Sequence, residues 1–292
     1  METFEFLNVM TNTQSSFIKS VVTIIGCALV TAVPVLAQSG DRVSVQLSDP
    51  ARPSVVKASL VAGSINVKSH DGKEVIVEAR ARNRESSSSE GGMRRIPMTS
   101  TGLSVEEENN QVRIGTDSYQ RPIDLTISVP TRTSLILRTV NDGNIVVSGV
   151  DGEIDVDDIN GSVTLNNISG NAIAHALNGR VLVTFNRINA QKPMSFSSMN
   201  GDIDVTFPPD LKANLTLRSD QGEVYSDFDV QVQAKAPQPQ AEDTRSQGGR
   251  YRYKVDKTVR ATVNGGGQEI QFKNFNGNIY IRKTGAPKTQ KD

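Results

Sequence analysis

The chain has 292 residues, enough for one large domain or two ordinary ones. Hydrophobic residues make up 36% and aromatics 5%, with no Trp, a composition that suits a stack of thin layers filled by Val, Ile and Leu better than a conventional globular core. Lys plus Arg and Asp plus Glu both number 32, so no global field steers the protein to nucleic acid or to an anionic membrane, and the single Cys leaves no disulfide and no Cys-ligated metal.

The first predicted element is an export signal over residues 1–37. Val21 to Leu36 is almost uniformly apolar and follows Lys19, and the run closes Val35-Leu36-Ala37 before Gln38. Such an ending is what signal peptidase accepts, so cleavage after Ala37 is expected, removing Cys27 with the signal. Two other readings exist. Phe17 to Ala37 is marginally long enough for an uncleaved anchor, and Ile24-Ile25-Gly26-Cys27 resembles a lipobox. Pro34 and the cleavage-like ending favour the signal, and the apolar run continuing past Cys27 counts against the lipobox. The expected location is therefore the periplasm, cell envelope or exterior, with no stable membrane insertion once the signal is removed.

The mature part, 38–283, is predicted to be all-β. Val43 to Leu47 and Ile123 to Val129 alternate apolar with polar residues and read as strands of edge or capping layers. Residues 82–100 are polar and Ser-rich and read as a surface excursion. From Gly143 to Gly179 the chain then repeats in nine-residue steps: GNIVVSGVD, GEIDVDDIN, GSVTLNNIS, GNAIAHALN, with GRVLV beginning the next. Positions three and five (Ile145, Val147; Ile154, Val156; Val163, Leu165; Ala172, Ala174; Val181, Val183) share one strand face. Position eight (Val150, Ile159, Ile168, Leu177) is expected to add a third inward contact. The Asn-Gly or Asp-Gly pair is expected to reverse the chain because both residues tolerate positive φ. Each unit is thus a short strand and a bend that completes its core only by stacking. An antiparallel sandwich with NG hairpins is the alternative, but five glycines in phase favour a solenoid.

The register recurs more loosely outside this block. Val56, Ala58 and Val61 precede Gly63; Leu135, Leu137 and Val140 precede Gly143. Met194, Phe196 and Met199 precede Asn200-Gly201, and Ile270, Phe272 and Phe275 precede Asn276-Gly277. Residues 232–250, rich in Ala, Gln and Pro, read as a disordered insertion, and 284–292 as a disordered basic tail.

The string LRTVNDGNIVVSGVDGEIDVDDINGSVTLNNISG, together with TVNGGGQEIQFKNFNGNIYIRK, resembles the bacterial putative-adhesin family of exported β-strand-repeat proteins of unknown function. The resemblance spans Leu60 to Arg282. It implies a right-handed parallel β-solenoid, β-helix-like with Asn/Asp-Gly turns, and an envelope setting, and it supplies no catalytic residues.

No catalytic, cofactor or metal site is predicted. Asp151, Asp155, Asp157 and Asp158 cluster in one unit, but a calcium-binding roll needs its ligands in successive coils, and neighbouring units place Thr164, Asn166 and His175 there. His70 falls at a bend and His175 at an outward position, neither with a Cys partner. No GxSxG, HExxH or phosphate-loop pattern occurs. Asn160, Asn178, Asn200 and Asn276 are spaced to form a stacked ladder. The outward residues Asn144, Val146, Glu153, Asp155, Ser162, Thr164, Asn171 and Ile173 are expected to form one mostly small, polar surface. The function read from this pattern is a non-enzymatic exported interaction scaffold or adhesin contacting an envelope polymer or protein, with no cofactor. A polysaccharide-acting β-helix enzyme and an envelope stress-response factor are the alternatives.

Overall fold

A computed structural model describes residues 40–82, 100–117, 121–233, 240–243, 251–254 and 257–285. The expected signal segment and nearly all of the 82–100 excursion lie outside the described residues. Those described fall in the unit Ser39–Asp292 and form strands and turns, with no helix among them.

The nine-residue phase is real, but one unit is only half a coil. Val163 pairs in parallel with Ile145 on one side and Val181 on the other, eighteen residues each way. Ile154 pairs with Ala172, again eighteen apart. Successive units therefore lie on opposite faces, and each stacks on the unit two steps away.

The first face holds β2 (Ser54–Ala62), β8 (Thr133–Asn141), β10 (Asp151–Asp158), the second half of β11 (Val163–Ala176), β13 (Met194–Asn200) and β15 (Ala213–Ser219). The second holds β3 (Ile65–His70), β9 (Ile145–Ser148), the first half of β11, β12 (Val181–Ile188), β14 (Ile203–Phe207) and β16 (Val224–Ser226). The residues expected to form one outward surface are consequently divided. Glu153, Asp155, Asn171 and Ile173 lie on the first face, and Asn144, Val146, Ser162 and Thr164 on the second.

Stacking order departs from chain order at both ends. The last pair, β21 (Gln268–Asn276) and β22 (Ile279–Lys283), lies inside the stack: β21 pairs in parallel with both β13 and β15, and β22 with both β14 and β16. The first pair is placed likewise. β2 lies between β6 (Gln111–Thr116) and β8, and β3 between β7 (Ile123–Pro130) and β9. Antiparallel strands close the stack. At one end β4 (Glu74–Ala81) pairs with β7 and with β1 (Asp41–Gln46), while β5 (Leu103–Glu108) pairs with β6. At the other, β20 (Val259–Val263) pairs with β15 and with β17 (Val230–Val232). Thus Val43–Gln46 lies in a closing strand, as expected, whereas Ile123–Val129 lies in β7, a strand of the parallel stack that β4 covers.

The predicted insertion is structured in part: β18 (Gln240–Asp243) pairs antiparallel with β19 (Tyr251–Lys254). Of the predicted tail, Thr284 is held to β14, its amide donating to the Phe207 carbonyl at 2.9 Å, and residues 286–292 lie outside the described residues.

Both faces fill one core. Positions three and five are buried throughout, as the alternation requires. Fully burying each Val, Leu or Ile contributes about 1.5–3 kcal/mol. Phe185, Phe196, Phe207 and Phe272 meet in the core, with Phe185 stacked on Phe207 at 5.4 Å and Phe272 against Phe196 at 5.3 Å. Phe272 thereby ties the intercalated β21 to the coil beneath it.

Position eight is where the expectation fails. Val150 and Ile168 are buried, but Ile159 and Leu177 are 37% and 43% exposed. The two bends of a coil differ. At the first, Gly149 (φ 72°) and Asn167 (φ 51°) adopt left-handed backbone, which shifts the phase and turns the eighth residue inward. At the second, strict alternation continues through position seven, so Asp158 and Ala176 face inward and the eighth residue faces out.

The glycine explanation also changes. At Asn160-Gly161, Asn178-Gly179 and Asn200-Gly201 neither residue has positive φ. Instead the glycines form a column. A Cβ on Gly161 would lie 1.8 Å from the Gly143 carbonyl oxygen, on Gly179 2.0 Å from that of Gly161, and on Gly201 2.4 Å from that of Gly179. Close backbone stacking, rather than turn conformation, demands glycine there.

Candidate functional site: the ladder at the second bend

Because the second bend is built alike in coil after coil, it lines up chemically equivalent residues at the strand spacing of about 4.8 Å. Three rows result. The inner row is Thr139, Asp158, Ala176, Ser198 and Asn274, joined by Ser219.

The next residue along faces outward, giving the apolar row Val61, Val140, Ile159, Leu177, Met199 and Phe275. Backbone bonds fix its register: Asn160 N to Val140 O at 3.1 Å, Asn178 N to Ile159 O at 2.9 Å and Asn200 N to Leu177 O at 2.9 Å. Five of the six are at least 37% exposed, Met199 reaching 45% and Phe275 44%. Six rungs span about 24 Å.

Beside it stands the asparagine ladder. Asn160 Nδ2 donates to Asn141 Oδ1, Asn178 Nδ2 to Asn160 Oδ1 and Asn200 Nδ2 to Asn178 Oδ1, each at 2.8 Å. Asn276 stacks in register on Asn200. The expected ladder is therefore present and gains Asn141, which the sequence hid because it stands two residues before its glycine. The amides run one way, so each interior asparagine gives one bond and takes one, leaving further donor and acceptor capacity for a ligand. The combined ridge can contact a long partner through repeated apolar and amide contacts.

The first face carries a shallow trough of about 640 Å³ beside the loop after β12, lined in part by Asp151, Glu153, Asn171, Arg187 and Gln191. Its two acids are both paired: Arg187 meets Asp151 at 2.7 Å, and Lys192, outside the trough, forms an ion pair with Glu153.

The four clustered aspartates are separated. Asp151 is in this trough, Asp155 pairs with Arg138 at 2.8 Å, Asp157 faces outward and Asp158 inward. Among the described residues no three His, Cys, Asp or Glu side chains converge as a metal site. His70 closes the bend before β4, with Nε2 bonded to the Glu74 carbonyl at 2.9 Å. His175 stands outward in a row the sequence reading missed, Arg138–Asp157–His175–Ser197–Lys273. Its Nδ1 meets Ser197 Oγ at 2.6 Å. The eighteen-residue separation of Asp157 from His175 was the available signal. No hydrogen bond or ion pair joins these two, and the row lies on the outer surface of the sheet.

The comparison with curated proteins found no match. Two solved structures are similar in part. One is a putative cell adhesion protein from Clostridium sporogenes ATCC 15579, 9% identical with a TM-score of 0.41, over 84% of this chain and 100% of that one. The other is a putative adhesin from Bacteroides fragilis NCTC 9343, 13% identical with a TM-score of 0.33, over 84% of this chain and 96% of that one. The Toastrack DUF4097 family model matches residues 30–259, which include every strict nine-residue unit and most of the corner ladder. The chain belongs to the Toastrack DUF4097 family.

Proposed function

We propose that this protein is a non-enzymatic, exported interaction scaffold of adhesin type, a right-handed coil acting in the cell envelope or outside the cell, whose partner is an envelope polymer or protein. The observation that carries the reading is the uninterrupted row of six apolar residues beside the asparagine ladder. Such a repeat suits weak contacts multiplied along a long ligand, where avidity makes up for modest affinity at each rung. Exposed apolar side chains in a contiguous row also cost solubility unless a partner uses them.

The experiment is a binding screen of the full chain against envelope glycans and envelope protein extract, repeated with Leu177→Asp/Met199→Asp. Both side chains are exposed, so the double variant should keep its thermal midpoint while losing at least tenfold in affinity for whatever the wild type retains. Binding unchanged by the double variant would remove the ridge as the site. The export component is checked separately by the N-terminal residue of the mature protein, expected near Gln38.

A second reading, a polysaccharide-acting enzyme, is favoured by one observation: Asp157, His175 and Ser197 occupy consecutive rungs of one row. It predicts polymer turnover that disappears with His175→Ala. The outer-surface position of the row, without a cleft of convergent groups, supports the scaffold reading instead.

A further inference from the structure

The inner row of the second bend repeats one contact. Thr139 Oγ1 donates to the Gly63 carbonyl at 3.0 Å, Ser198 Oγ to that of Gly179 at 2.9 Å, Asn274 Nδ2 to that of Gly201 at 3.0 Å, and Ser219 Oγ to that of Gly277 at 3.5 Å. In each case the acceptor belongs to the glycine on which the donor's own corner glycine stacks. Asp158 occupies the same slot. By the same offset the matching carbonyl is that of Gly143, on which Gly161 stacks at the closest approach in the column.

A carboxylate cannot make this bond, because it has no hydrogen to donate. Asp158 is fully buried, and neither of its oxygens has a hydrogen-bond partner among the described residues. The amides of Asn160 and Gly161 approach it without reaching bonding geometry. The groups facing it offer no counter-charge. Thr139 on β8 and Ala176 on β11 flank it in register and are neutral. Asp157, its chain neighbour, is negative and points to the opposite surface. Arg138 and His175 flank Asp157 rather than Asp158, and they bond Asp155 and Ser197. Asp142, beside Gly143, is exposed and also negative. Arg82, which reaches the Asp142 carbonyl, is paired with Asp124.

We propose that Asp158 is a proton-dependent latch: as the neutral acid it donates a hydrogen bond to the Gly143 carbonyl, as the Asn274 amide does to Gly201, and loss of the proton leaves a buried, unpartnered carboxylate that loosens this corner. Burial pushes its pKa up to about 7, the nearby amides oppose the rise, and Asp157 adds to it. The sign follows from proton binding. An unfolded aspartate titrates near 4, so below about pH 4 both states are neutral and the latch is closed. From about pH 4 to about pH 7 only the folded state keeps the proton, and the folding constant falls about tenfold per unit. Above about 7 both states are ionised and the loss is complete. The latch lies directly beneath Ile159 and Asn160, so the ridge itself becomes pH-responsive.

The test is urea unfolding of the full chain and of Asp158→Asn at pH 5, 6, 7 and 8, with a carbon-13 NMR titration of the aspartate carboxyl signals. The asparagine variant supplies a permanent donor of the Asn274 kind. The ratio of its folding constant to that of the wild type should rise about tenfold per unit from pH 5 to 7 and then level off. One carboxyl signal, absent in the variant, should titrate near 7. A ratio flat across this range, or an Asp158 signal that titrates near 4, overturns the latch. If the variant does not fold, the wild-type titration decides alone.

Discussion

Gly161 shows how a single missing methylene can govern a stack. Its Cβ would lie 1.8 Å from a carbonyl oxygen one coil below, so Gly161→Ala must push two coils apart and should cost about 3 kcal/mol or more. Gly115 is the control, with ordinary φ and nothing within 4 Å of a Cβ. Gly115→Ala should be neutral or stabilising by about 0.4–1 kcal/mol through the unfolded chain. Urea midpoints with unchanged slopes would measure both. The phase of the glycines was plain in the sequence, but their purpose was not. Spacing along the chain shows that glycine recurs; only the stacked backbone shows that the recurring glycines face one another. Asp158 was hidden for the same reason. It reads as one acid among several in DGEIDVDDING until the neighbouring coils reveal the slot it fills.

Among the strands, the nine-residue pattern correctly marked positions three and five as core and misread position eight. The reason is local. Two bends with different backbone conformations alternate under one sequence pattern, and the same Ile is buried at one and exposed at the other. Substitution separates them. Ile154→Ala removes a buried side chain and should cost about 2–5 kcal/mol, whereas Ile159→Ala, 37% exposed, should change stability by about 0.5 kcal/mol or less. Equal costs in thermal unfolding would contradict the register of the second bend. The asparagine ladder was legible where Asn immediately precedes Gly and illegible at Asn141, where Asp142 at φ 57° lengthens the turn by one residue.

Across the whole molecule, what the sequence concealed is the order of the stack. Short repeats imply that neighbours in the chain are neighbours in space, and between β8 and β14 that inference holds. It fails at the ends, because β21 and β22 carry the same pattern as any other coil and nothing in it says that they insert between β13–β14 and β15–β16. A chain ending after Gly267 would leave β13 and β15 without their shared partner and the core without Phe272. It should lose cooperative unfolding, seen as broad, probe-dependent transitions by circular dichroism and hydrogen exchange, instead of merely shedding one outer layer. The contacts that close this gap join residues distant in sequence, such as Phe196 with Phe272, which lies 76 positions on, a pairing that makes folding slow.

The same intercalation has a mechanical meaning. In an ordinary stack the terminal coils are outermost, and a pull on the chain peels them away one after another, each exposing the next. Here the last strand, β22, is bonded along both edges, to β14 and to β16. Force entering near Lys283 is delivered to the interior of the sheet, where flanking strands must be displaced together before the segment can be drawn out. At the other end the first strand, β1, is bonded along one edge only, to β4, so a stretched molecule should yield there first and hold at its C-terminal side.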